Sequence, residues 1–416
     1  MKTVVQFLFI AMVLGTMNYT GENDISSELQ TLIRFHKDFK RGSFKKVEKE
    51  IQKQFDLLPQ SEDNLFKFIS SISIANKSHL DSINQWIDQN RKSSIAQAVK
   101  GMLLVGLAWK ERTNSFSKDV KKESWDGMQQ YLKEAYSAAK QALNLDPDNY
   151  VAHYIILKYR YHYRDKEQFE TYYRGIVKKY PNSTAVRYLY LGKLWPRWSG
   201  SIADIKKELD KITSDFTNPD GKKGFENYMN FYNAFLARER KDFEECADIA
   251  SIDESYPLYG TRARCNYVLE NYIEVNADFS EVIKSNFLDE SDLIMFSKSL
   301  YEMGRYFDAS RVMDYAIEHY PDNAYFWSSA YFYHYKSNRV TTCKIAESSL
   351  EHFPENAYLL KAAVACFDRK KQYRKCIKVG GNAINTMKSN GDFKKKSKEF
   401  ASINRSYEHC TKMLKK

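Results

Sequence analysis

The sequence predicts an all-α protein, an α-solenoid of stacked antiparallel helix pairs. Three observations predict it. Glycine (16) and proline (8) are scarce among 416 residues, leaving little turn material for a many-stranded sheet. The phrase "EHYPDNAYFW" at Glu318–Trp327 returns as "EHFPENAYLL" at Glu351–Leu360, thirty-three positions later. Between such phrases apolar residues recur at three and four, the spacing of one helix face.

Residues 1–20 read as a signal peptide. In "MKTVVQFLFIAMVLGTMNYTGEND" one lysine precedes an apolar run from Val4 to Leu14, followed by small and polar residues. That is the order of a secretory signal, and the run is too short to span a bilayer comfortably. The expected protein is exported, periplasmic or secreted, with no stable transmembrane span. The alternatives are an uncleaved anchor or a buried first helix, and if the signal reading is wrong the protein is cytoplasmic.

Residues 24–120 read as an N-terminal helical region. "SELQTLIRFHKDFKRGSFKKVEKEIQKQF" is a helix, a turn at Gly42 and a second helix, and "AQAVKGMLLVGLAWKERTNS" is a more buried one. Residues 121–285 read as degenerate helical repeats. Pro147 and Pro181 are thirty-four apart, Pro219 and Pro257 follow at intervals of thirty-eight, and Pro321 and Pro354 are thirty-three apart. Proline cannot continue a helix and pushes the residue before it out of helical geometry, while a neighbouring Asp or Asn can cap the next helix. The tryptophans of "LWPRWSGSIADIKK", Trp195 and Trp198, flank Pro196 and Arg197 and are expected to seal a joint. The other reading of that corner is an interface anchor. Ser201 with Asp204 is expected to cap the helix that follows.

Residues 286–390 carry the clearest repeats. Leu293, Phe296 and Leu300 share one face of a first helix, Gly304 allows a turn, and Tyr306, Ala309, Met313 and Ala316 line a second. Each pair is too small to bury its own face and must stack on the next. Residues 391–416 read as a basic C-terminal helix.

Ser291–Asn323 resembles a tetratricopeptide repeat (TPR), matching at Gly304, Tyr306, Ala309, Ala316 and Pro321. The next unit keeps Trp327 and Pro354 and is one residue short. The third keeps Tyr373 and Ala383, with Cys376 where a small residue is expected. Ala135, Ala142 and Pro147 match in part. The resemblance covers 291–390 and, more weakly, 120–181; over 182–285 only the spacing remains, which predicts irregular units. The order of "AWKER", "LNLDPDN" and "PRWSGS" also resembles an uncharacterised bacterial domain family with no assigned activity.

No phosphate-binding, dinucleotide, nucleophile-elbow or zinc-protease motif occurs, so no catalytic, cofactor-binding or metal residue is expected. Gly380-Gly381 lies inside a helical pattern and reads as a packing point. His319 and His352 occupy equivalent positions at helix C-termini, where an imidazole can meet terminal carbonyls. Six cysteines, none before Cys246, suit disulfides in an exported protein, and fifteen pairings are open.

What remains is surface. The resemblance implies a concave groove lined by the first helix of each pair. The contact positions fall on Ile294, Lys298 and Tyr301, then Tyr325, Ser328, Phe332 and Tyr335, then Tyr358, Lys361 and Asp368. Trp327 and Tyr331 belong to the core by the same spacing. Aromatic rings on such a wall suit an extended protein or peptide segment. The leading expectation is therefore a non-catalytic protein-binding scaffold. A polyanion-binding protein is the alternative. The formal charge is +11, and Lys388–Lys416 holds nine Lys/Arg against three Asp/Glu.

Overall fold

The computed structural model describes residues 22–58, 62–73, 77–112, 120–162, 166–198, 200–252, 258–285, 288–389 and 397–415. The signal-like segment at 1–20 and Pro257 lie outside the described residues. Among these residues there are twenty-two α-helices and no strand. The N-terminal helices are α1 (Glu22–Lys40), α2 (Phe44–Asp56), α3 (Glu62–Ile72), α4 (Lys77–Gln89) and α5 (Ser94–Arg112). Then come α6 (Lys122–Leu145), α7 (Tyr150–His162), α8 (Lys166–Lys179), α9 (Thr184–Lys193), α10 (Ile202–Asp215) and α11 (Pro219–Glu226). Five hairpins follow: α12 (Tyr228–Glu239) with α13 (Phe243–Ala250), α14 (Leu258–Val268) with α15 (Tyr272–Ser285), and α16 (Glu290–Glu302) with α17 (Tyr306–His319), then α18 (Ala324–Lys336) with α19 (Thr342–His352) and α20 (Ala357–Arg369) with α21 (Tyr373–Ser389). The last helix is α22 (Ser397–Leu414), which packs on α20 and α21.

Two kinds of joint alternate, and each has a chemical cause. The proline joints after α6, α8, α17 and α19 end a helix and start the next with a polar cap two residues beyond the proline. Asn149, Ser183, Asn323 and Asn356 accept from the backbone N–H groups of Ala152, Val186, Tyr325 and Tyr358. Pro219 also stands at a joint, between α10 and α11, but as the first residue of the second helix, where a missing N–H costs nothing.

Turns inside hairpins use a left-handed residue. Gly42, Lys241, Glu270, Gly304, Asn338 and Lys371 all have φ between 57° and 75°. In each, the next residue donates to the carbonyl five positions back, as Arg305 does to Leu300 at 2.8 Å and Gln372 to Phe367 at 2.8 Å. Only two of the six are glycine. From Lys241 onward these residues recur at intervals of 29, 34, 34 and 33. The irregular units expected over 182–285 therefore give way to regular hairpins from Tyr228, hidden from the sequence because lysine and glutamate hold the turn there.

Packing is close where the sequence offers small residues. Leu293, Phe296, Leu300, Ala309, Met313 and Ala316 are all buried, as their spacing predicts. Trp195 donates to the Tyr228 hydroxyl at 2.8 Å and lies 5.1 Å from the ring of Tyr232, joining the end of α9 to α12. Trp198 meets Tyr161 edge-on at 5.9 Å, so this corner seals a joint. Ser201 accepts from the Asp204 N–H at 3.0 Å, the expected cap.

Three disulfides connect Cys246 to Cys265, Cys343 to Cys366 and Cys376 to Cys410. Each runs from the second helix of one hairpin to the first helix of the next unit: α13 to α14, α19 to α20, α21 to α22.

The N-terminal helices also pack on the hairpin array. α1 packs on α15 and α17, and α3 packs on α15, so one apolar core extends from Leu29 to Tyr333. A second polar tie crosses the N-terminal half. The buried Glu62 carboxylate at the start of α3 accepts from Thr184 N at 2.8 Å and Ala185 N at 3.1 Å, the first turn of α9. It also accepts from the Ser183 hydroxyl at 2.9 Å and from the hydroxyls of Tyr150 and Thr184.

Candidate binding surface

The residues singled out by the sequence fall on three successive first helices. Lys298 and Tyr301 are on α16. Tyr325, Ser328, Phe332 and Tyr335 are on α18. Tyr358, Lys361 and Asp368 are on α20. The helices position these side chains because their opposite faces are committed to the core: Phe326, Trp327 and Ala330 on α18 are buried, and Trp327 donates to the Pro321 carbonyl at 2.8 Å. Tyr325 and Tyr335 stand 44% and 52% exposed, large rings left facing solvent. Phe332 is half-buried, and so is Tyr331, which the spacing had placed in the core.

Rings and cations alternate across the helices. Tyr301 lies 5.4 Å from Phe332 and 5.4 Å from the buried Tyr333. Tyr331 lies 6.4 Å from Tyr335 and 6.2 Å from Tyr358. Lys298 sits 5.6 Å over Tyr267, Lys336 5.7 Å over Phe332, Arg369 5.8 Å over Tyr335 and Lys361 5.3 Å over Tyr358. Burial raises the Tyr358 and Tyr331 hydroxyls above the ordinary phenol range, so both stay neutral donors. The Lys298 ammonium is held above its ordinary range by the Tyr267 hydroxyl.

Three candidates are engaged within the chain. Ser328 bonds back to the Ala324 carbonyl at 2.9 Å. Lys361 lies 3.9 Å from Glu399, and Asp368 lies 2.7 Å from His409, both on α22. The last helix thus covers part of the wall at α20, and the open stretch is α16 and α18.

Sequence reasoning missed Lys336, Arg369 and Tyr267. A signal existed for two of them: Lys336 is four residues after Phe332, one helical turn, and Arg369 stands thirty-four residues after Tyr335, one repeat. Tyr267 lay in a unit whose turn carries no glycine.

Several polar side chains elsewhere make structural contacts. A cleft of about 560 Å³ between α7 and α8 is lined by His153, Arg160, Tyr172 and Lys179. There Arg160 donates to Gln168, Lys179 donates to the Pro147 carbonyl, and His153 joins Tyr172 at 2.9 Å. Arg174 clamps Glu208 with two 2.7 Å bonds, Arg262 holds Asp278 and Arg264 holds Asp292. Asp368, His409 and Cys410 approach one another, but the Cys410 sulfur belongs to the disulfide.

The histidines depart from their sequence reading in one respect. His319 donates to the Tyr315 carbonyl at 2.9 Å, as a C-terminal residue was expected to. Its ring also stacks on His36 at 4.4 Å, and His36 in turn faces His79 at 5.0 Å, three buried histidines from distant segments. His352 instead stacks on Trp327 at 5.0 Å.

Similarity to known proteins is confined to structure. No family model matches the chain and no curated protein matches it, so the resemblance drawn to a bacterial domain family has no counterpart there. Among solved structures the chain is similar to the P58(IPK) TPR domain, at 16% identity over 68% of this chain and 94% of that one, with a TM-score of 0.21. It is similar to yeast Tom70 at 13% identity over 86% and 61% of the two chains, with a TM-score of 0.25. It is also similar to Naa15/Naa10 bound to HypK-THB, at 16% identity over 93% and 63%, with a TM-score of 0.22. With scores this low, the architecture rests on the helix-by-helix packing described above.

Proposed function

We propose that this protein is a non-catalytic scaffold that holds a protein or peptide segment against the open face of α16 and α18. The observation that carries the reading is the exposed ring of Tyr335 beside Phe332, with Arg369 and Lys336 stacked over the two rings. Rigid aromatic area binds an extended chain at low entropic cost, and the stacked cations offer donors to its carboxylates and carbonyls.

The test is capture of a partner from the producing cells by the full-length protein, followed by titration of that partner. Phe332→Ala with Tyr335→Ala is expected to weaken binding more than about tenfold, the loss of one buried aromatic anchor, with unchanged helix content by circular dichroism. Unchanged affinity in the double variant overturns the groove. Affinity that collapses between low and high salt favours the second reading, polyanion binding through exposed lysines and the basic C-terminal helix.

Location outside the cytoplasm belongs to the same proposal. Its support is the pairing of all six cysteines, which suits an oxidising compartment. Mass spectrometry of the natively expressed protein should show removal of roughly the first 15–20 residues, a signal peptide's usual length, and thiols that react only after reduction.

A further inference from the structure

His36 of α1, His79 of α4 and His319 of α17 meet where the N-terminal helices close onto the hairpin array. All three are buried, at 0%, 4% and 0% exposure. The His36 and His319 rings lie nearly parallel, 4.4 Å apart at 20°. His36 Nε2 and His79 Nε2 are 3.2 Å apart, a hydrogen bond in which one nitrogen must be an acceptor and therefore unprotonated. Phe39 packs 6.4 Å from His36 and 5.6 Å from His79, and Tyr315 stacks 4.0 Å from His319. No other helix of the hairpin array packs so extensively on α1 as α17.

We propose that this contact is an acid-sensitive clasp: neutral histidines hold α1 and α4 against α17, and protonation releases them. The charged groups facing the cluster offset the added charge only in part. Lys37 and Lys40 of α1 repel it. Glu318 of α17 lies 3.7 Å from His36 but is shared with Lys40 at 3.5 Å. Asp322, in the turn after α17, and the Ile72 carbonyl of α3 act on His79. Two carboxylates, one of them shared with a lysine, stand against three imidazoles and two lysines. Two protonated rings 3.2 Å apart would face donor to donor.

Burial is the leading cause that lowers all three in the closed form. His36 lies well below the ordinary value of 6.5, His79 falls to about 4 and His319 to about 3. The closed state therefore binds fewer protons than the open one. Its advantage is complete above pH 6.5 and erodes as pH falls from 6.5 towards 4. For His79 alone the open-to-closed ratio rises roughly 30-fold between pH 7.5 and pH 5.0.

Hydrogen–deuterium exchange of the full-length protein at pH 7.5 and pH 5.0, corrected for intrinsic rates, tests the clasp. Peptides of α1, α4 and α17 are expected to lose at least tenfold in protection at pH 5.0, while those of α20 keep theirs. His36→Phe with His79→Phe should reduce the response to the share carried by His319 alone, and His352→Gln, an exposed histidine on α19, should leave it intact. Equal protection of α1 at both pH values overturns the proposal. So does a response undiminished in the double variant or absent in His352→Gln. If the double variant does not fold, His79→Asn is read instead, and an unreduced response again overturns it.

Discussion

At the scale of single residues, the prolines and their caps were legible because their effect is local. A proline cannot sit in a helix interior, so it marks a helix boundary, and the Asn or Ser two positions later needs only its own backbone to act. Asn323 and Asn356 therefore do what their sequence position says. Glu62 is the opposite case. Nothing near it in sequence marks it as the acceptor for the first turn of α9, over 120 residues away. Its carboxylate serves Thr184, Ala185, Ser183 and Tyr150 in a buried site, and hydrogen bonds to a charged group are worth about 1.5–3 kcal/mol each. Glu62→Ala is expected to cost about 3 kcal/mol in urea unfolding, with Glu62→Gln costing less because one acceptor oxygen remains. An equal cost for the two would show that packing, not hydrogen bonding, holds α3 to α9.

At the scale of elements, the hairpin turn explains both the success and the failure of repeat reading. Gly304 marks its unit because a left-handed residue strongly favours glycine, and at φ +75° an added Cβ would meet nothing within 4 Å. Lys371, at φ 57°, fills the same role at a cost in backbone strain. Gly304→Ala should therefore destabilise by about 1 kcal/mol from backbone strain alone, and Lys371→Gly should stabilise by about 0.5–1 kcal/mol. Opposite signs in thermal melts are the expected outcome; the same sign would mean the two turns are not equivalent. Lys241 and Glu270 conceal two further hairpins in the same way, which is why the units between Tyr228 and Ser285 looked irregular.

For the whole molecule, the disulfides and the closing contact decide how the hairpins behave together. Stacked repeats hold one another only through nearest neighbours. The three bridges reinforce the boundaries between units, closing loops of 19, 23 and 34 residues. Each is worth about 3 kcal/mol in a chain-entropy account. Reduction is expected to expose α12–α22 to limited proteolysis well before α1–α9, which no bridge touches. Simultaneous cleavage of both halves would show that the shared core, extending from Leu29 to Tyr333, makes them one cooperative unit. The candidate wall belongs to this scale as well. Lys361 and Asp368 were read as open because their own helix places them outward, yet α22 returns to meet both with Glu399 and His409.

By itself the sequence determined the helices, the proline joints, the cores of the hairpins nearest its C-terminus and the first helices that bear the aromatic wall. These follow from helical periodicity, capping and backbone sterics, which act over a few residues. Only the tertiary structure decided which cysteines pair, that Glu62 caps a distant helix, that three histidines share one buried site and that α22 covers part of the wall. Each depends on which surfaces the stacked units bring together, and that is set by packing between segments distant in sequence, a property no short stretch of chain carries.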